Sequence, residues 1–180
     1  MKDKSRLLIM LLVALALVAA ACGGDDDDAS SSDQPADSED AADGAGDSGA
    51  AGSAVQVTAV DIEAGTATVT NTGSEAADLG GHWLCNRPAY VQLPNEALEA
   101  GESIDVPLGG LAAGAGEVGI YTSDNFANSA DIISYVTWGG GGGRQSVAES
   151  GGVWNGSPVP EPTSGLELTG NPGSAEGWSG

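Results

Sequence analysis

All eight aromatic side chains lie beyond residue 80: Trp83, Tyr90, Tyr121, Phe126, Tyr135, Trp138, Trp154 and Trp178. A packed core needs bulky apolar groups, so the folded part of this 180-residue chain must be built in its C-terminal two thirds. What precedes it divides into an apolar leader and an acidic tract.

Residues 1–6 (MKDKSR) carry three of the five basic side chains, and Leu7 to Ala21 is an uninterrupted apolar run of 15 residues. That is the n-region and h-region of a signal peptide, and the run is shorter than the roughly 20 residues a spanning helix needs. It ends in VAAAC followed by GG, which resembles the lipobox of bacterial lipoproteins, with Ala19 where that motif prefers Leu. The expectation is a leader over residues 1–21 and a lipid-bearing Cys22. Two or three acyl chains there would anchor the mature protein to the extracytoplasmic face of the cell membrane, since one chain alone binds marginally.

Gly23 to Ala54 is Gly, Ala, Ser and Asp almost throughout, with ten carboxylates and no aromatic, branched aliphatic or basic residue. Such a stretch cannot bury enough apolar surface to offset the entropy of ordering it, so residues 22–54 read as a disordered acidic tether. Its contour approaches roughly 110 Å, and a flexible coil of that length averages about 30 Å. GDSG at Gly46 to Gly49 resembles a serine-protease nucleophile loop. The sole histidine, His82, lies downstream of it, against the His, Asp, Ser order, and the tract supplies no rigid scaffold. The Asp25 to Asp28 run offers carboxylates but no fixed geometry for a hard cation.

Five basic against 26 acidic residues give a net charge of −21. Residues 55–180 retain Arg87 and Arg144 against 15 carboxylates, a surface that repels phosphate backbones and excludes nucleic acid as a partner.

From Val55 the composition turns to β-branched residues with closely spaced turn signals. The spacing predicts strands over Val55 to Ile62, Thr66 to Thr72, Gly81 to Cys85, Tyr90 to Leu93, Ser103 to Val106, Glu117 to Thr122 and Asp131 to Trp138. In TATVTNT, Thr66, Thr68, Thr70 and Thr72 alternate with Ala67, Val69 and Asn71, the period of a half-buried strand. The apolar phase of VQVTAVDI slips, which predicts a bulge near Ala59. Glu63, Ala64 and Gly65 close a hairpin, Gly73 is expected to take a positive φ, and Asp78 to bond nearby amides. Trp83 and Leu84 point to opposite faces, one of them into the core. No segment shows a helical period. Residues 139–180 read as a Gly- and Pro-rich extension packing on or following the sandwich, with Trp154 and Trp178 as plugs if it wraps around.

Seven short strands argue for an all-β antiparallel sandwich or barrel. The strings TATVTNTGSEAADLGGHWLC, ALEAGESIDV and GEVGIYTSDNFANSADIISYVTWG are similar to the lamin-tail domain over about residues 55–138. The resemblance implies an immunoglobulin-like antiparallel β-sandwich that serves interaction and attachment. Bacterial versions accompany exported nucleases and other enzymes. The DNA association of some animal versions does not carry over to a surface this acidic.

Catalytic chemistry has little to work with. His82 and Cys85 sit three apart on a strand, hence on opposite faces, and Cys85 reads as a small buried residue. Gly139 to Gly143 before Arg144 lack the P-loop spacing and read as a hairpin or linker. Asp124, Asn125, Asn128 and Asp131 in SDNFANSAD are a candidate calcium site, and turn formation explains the same letters; otherwise no cofactor is expected. The sequence therefore points to a non-catalytic, lipid-anchored module binding protein or glycan at the cell envelope. The alternatives are an accessory or metal-dependent extracellular enzyme, and a purely architectural envelope protein.

Overall fold

The computed structural model describes residues 53–180; the leader, Cys22 and nearly all of the tether lie outside them. In chain order the elements are β1 (Val55–Asp61), β2 (Thr66–Asn71), β3 (Ala77–Asp78), β4 (Trp83–Asn86), β5 (Ala89–Gln92), β6 (Ala97–Leu98), β7 (Ser103–Pro107), β8 (Ala115–Tyr121) and β9 (Ile132–Gly139). A short helix α1 (Gln145–Ser150), β10 (Gly165–Leu168), a 3-10 turn at Ala175–Gly177 and β11 (Trp178–Ser179) complete it. The described residues are all-β, in antiparallel sheets with almost no helix. The orders are β11-β10-β1-β2-β7, β5-β4-β8-β9 and a small β3-β6 pair. This arrangement is compatible with a sandwich.

All seven expected strands form, with ends shifted by one or two residues. The bulge falls between Val57 and Ala59, where the β1-β2 register slips. Ala67, Val69 and Asn71 of β2 are buried while its threonines line the opposite face. That face carries a hydroxyl ladder across three strands, with Thr58 to Thr70 at 2.6 Å, Thr70 to Ser103 at 2.8 Å and Thr68 donating to Asp105 at 2.7 Å. The β1-β2 hairpin turns as expected: Gly65 takes φ +69° and the Ala64 amide donates to Asp61. Asp78 accepts from the Gly80 amide at 2.8 Å, and Leu84, not Trp83, is the fully buried member of its pair.

Two expectations are corrected. Gly73 has no positive φ; its amide donates to the Asn71 side chain, and a Cβ there would sit 2.9 Å from that of Ala54, so it is held by close packing. A helix does follow the glycine run. The six residues of α1 are too few to show a period in sequence, and burial of Ala148 against the sheet holds them in place.

The C-terminal region is part of the sheets themselves. Leu166 pairs with Val60 of β1, Trp178 with Leu168, and the Val159 amide donates to the Thr137 carbonyl at 2.8 Å. Trp154, Val159, Leu166 and Trp178 are all buried.

Candidate functional site

Side chains alternate across a strand, so the four-stranded sheet has two faces to account for. Ser134 of β9 accepts from the Val57 amide of β1 at 3.0 Å, which turns the face bearing Ser134, Val136, Val118, Ile120 and Leu84 toward the larger sheet. The other face carries Glu117, Gly119 and Tyr121 of β8, Tyr135 and Thr137 of β9, and Cys85 of β4, and all of these are buried too. Residues 139–154 roof it. Trp154 meets the Tyr135 ring edge-on at 5.8 Å, and a Cβ on Gly142 would collide with the Glu117 side chain.

Beneath this roof Glu117, 2% exposed, is the centre of a polar layer. Its Oε2 accepts from the Tyr135 hydroxyl at 2.8 Å and from the Arg144 amide at 2.7 Å. Its Oε1 is buried with no partner, as are the Tyr121 hydroxyl, Arg144 Nε and Trp154 Nε1. Most buried polar atoms find a partner, and those that do not mark places where water or a ligand completes the network.

Burial pushes the Cys85 thiol from its ordinary 9.0 up to about 11, with Glu117 adding to the rise and Arg144 and Arg87 opposing it. Burial likewise drives both Tyr121 and Tyr135 above the ordinary phenol range, helped at Tyr135 by Glu117. At neutral pH the layer thus presents protonated hydroxyls and a thiol, not a thiolate nucleophile. The unfolded chain gives up the Cys85 proton near pH 9 while the folded chain keeps it to about 11. Stability from this group is therefore whole below about pH 9 and falls as pH rises toward 11. Melting curves across that window should show the fall, and Cys85→Ala should show a smaller one; an equal fall in both would remove the thiol from the explanation.

A cleft of about 350 Å³ opens beside the layer, bordered by Asn86, Arg87, Gly110, Glu117 and Gly141 to Gly143. The glycines are tied down at their start, where Gly139 donates to Val159, Gly140 to Gly114 and Gly141 to Trp138. Arg87 is exposed at the edge of this cleft, with its guanidinium toward the Gly143 carbonyl, while Arg144 belongs to the roof and meets Glu117 through its backbone amide. A second groove of about 620 Å³ crosses the hydroxyl ladder and is lined by Asp61, Glu63, Asp105 and Glu167. Nearby aromatics form a third feature: Phe126 packs against Tyr90 at 4.4 Å, Tyr121 at 5.2 Å and Trp83 at 6.0 Å, with Tyr90 39% exposed.

Asp124 and Asn125 are exposed, Asn128 Oδ1 accepts from the Ala130 amide at 3.2 Å, and Asp131 Oδ2 accepts from Ser123 at 2.8 Å. Among the described residues no group of three or more His, Cys, Asp or Glu gathers for a metal. Added calcium is expected to leave the melting temperature unchanged against a chelated control, and a rise of several degrees would instead support the candidate. Cys85 is unpaired and 1% exposed in the layer; His82 stands before β4 with Nδ1 3.3 Å from the Gly80 carbonyl.

Sequence reasoning passed over Glu117, Tyr121, Tyr135 and Arg144 as a group. The available signal was that GEVGIY and IISYVTW are apolar on both parities, the mark of strands covered on both sides. Comparison with protein-family models, curated proteins and solved structures finds no match for this chain.

Proposed function

We propose that the chain is a lipoprotein that displays a non-catalytic, lamin-tail-like domain of the immunoglobulin-like sandwich type on the extracytoplasmic face of the cell membrane, for contact with protein or glycan. The observation that carries this reading is the succession in one sequence of an apolar leader, Cys22 at its end, a Gly/Ser/Asp tether and a β-rich domain. The antiparallel, all-β architecture is compatible with a sandwich, and the Trp83, Tyr90 and Phe126 patch offers flat apolar rings of the kind that serve recognition. Its ionisable groups favour binding over turnover: the thiol is buried and protonated at neutral pH, and the carboxyl of Glu117 is engaged by Tyr135 and Arg144.

Intact-mass measurement of the mature N-terminus tests the anchor. The expected result is an acylated Cys22 in the membrane fraction, with Cys22→Ala released to the medium. Mature protein found in culture fluid with an unmodified Cys22 would overturn the reading.

A further inference from the structure

We propose that the cleft beside the glycine strap binds a small zwitterion of the α-amino acid type, its ammonium pairing with Glu117 Oε1 and its carboxylate with Arg87. The inference concerns the folded domain and stands whether or not Cys22 carries lipid.

The inner half of the site is a carboxyl whose two oxygens are unequally used. Oε2 takes both available donors, from Tyr135 and Arg144, while Oε1 is buried beside the cleft with none. An acceptor left in that state is costly, so a donor brought to it is strongly rewarded. The outer half is Arg87, whose guanidinium makes one long contact, 3.4 Å from Nη1 to the Gly143 carbonyl, and keeps its other donors open.

Charge then selects the ligand. A plain anion would meet Glu117, and a plain cation would meet Arg87. A molecule bearing both charges satisfies both ends. Arg87, one of only two arginines among the described residues, borders this cleft in a chain of 26 carboxylates, so a ligand carboxylate finds a partner here. Size agrees: about 350 Å³ lies at the lower end of the range of small-molecule sites. The strap is fitted to both groups, since a Cβ on Gly142 would collide with the Glu117 carboxyl and one on Gly143 with the Arg87 guanidinium. Only glycine lets the backbone lie this close, and because Oε1 is buried with Gly142 lying against the Oε2, Cδ and Cβ of Glu117, Gly142 must move aside for the ammonium to enter.

Calorimetric titration of the full mature chain tests this with glycine, L-alanine and the dipeptide Ala-Ala, and with acetate and methylamine as single-charge controls. The expected result is saturable one-to-one binding of at least one zwitterion, with acetate and methylamine at least tenfold weaker. Preference for the amino acids over Ala-Ala would identify a free amino acid as the source, and the reverse a short peptide. Affinity should fall at least tenfold in Arg87→Ala and in Glu117→Gln, with Asp124→Ala unchanged. Arg87 is exposed, so Arg87→Ala carries the test should Glu117→Gln fold poorly. No saturable zwitterion binding up to about 10 mM, equal binding of acetate or methylamine alone, or binding untouched by Arg87→Ala would each overturn the proposal.

Discussion

A chain ended after Trp138 is expected to lose its cooperative unfolding transition, whether followed by circular dichroism or by tryptophan fluorescence. The missing residues include β10, which pairs with β1, and the buried side chains Trp154, Val159, Leu166 and Trp178. Each such side chain contributes about 2 kcal/mol of burial, so the four together approach the roughly 5–15 kcal/mol that separates a folded domain from its unfolded chain. The truncation also uncovers the outer face of β8 and β9, exposing Tyr135 and Glu117 and leaving the edge of β1 unpaired. A truncated chain melting within a few degrees of the full-length one would mean that residues 139–180 merely decorate the sheets.

Replacing Glu117 by alanine is expected to cost about 3 kcal/mol in urea unfolding, and by glutamine about 1 kcal/mol. Alanine strips the Tyr135 hydroxyl and the Arg144 amide of their shared acceptor in a place water reaches poorly, and it leaves a void under the roof. Glutamine keeps an oxygen that can accept both bonds and gives up only the charge. The contrast between the two variants matters more than either value. Equal losses would show that charge, not the acceptor, holds the strap; a negligible loss for alanine would show that the roof is held by Trp154 and Ala148 without help from the carboxyl.

Much of the fold was legible because β-structure writes itself locally. Alternation in TATVTNT, the phase slip in VQVTAVDI and the Glu63-Ala64-Gly65 turn each depend on residues adjacent in sequence, and each has its counterpart in the structure. The pairs β3 and β6 were illegible, since two residues each carry no period. The partner of LELTG was hidden for another reason: GLEL is an ordinary short strand whose pairing with β1 spans more than a hundred residues, and sequence alone does not choose between that edge and another. The polar layer was missed through the same non-locality. Glu117 at the head of a strand reads as a solvent-facing residue until something covers it, and the cover comes from the glycine run, whose fit depends on the absence of side chains. Arg144 reads as an isolated cation for the same reason; its backbone amide, not its charge, bonds Glu117.

The position of β1 bears on mechanical load. It is flanked by β2 on one side and β10 on the other, and both run antiparallel to it. A force directed along β1 against the rest of the sheet would load the β2 ladder over Val55 to Asp61 and the β10 ladder over Ala59 to Asp61 in shear, a direction in which neighbouring hydrogen bonds share the load. The last strands of the polypeptide thereby brace its first strand, so the two ends of the domain are held in one sheet.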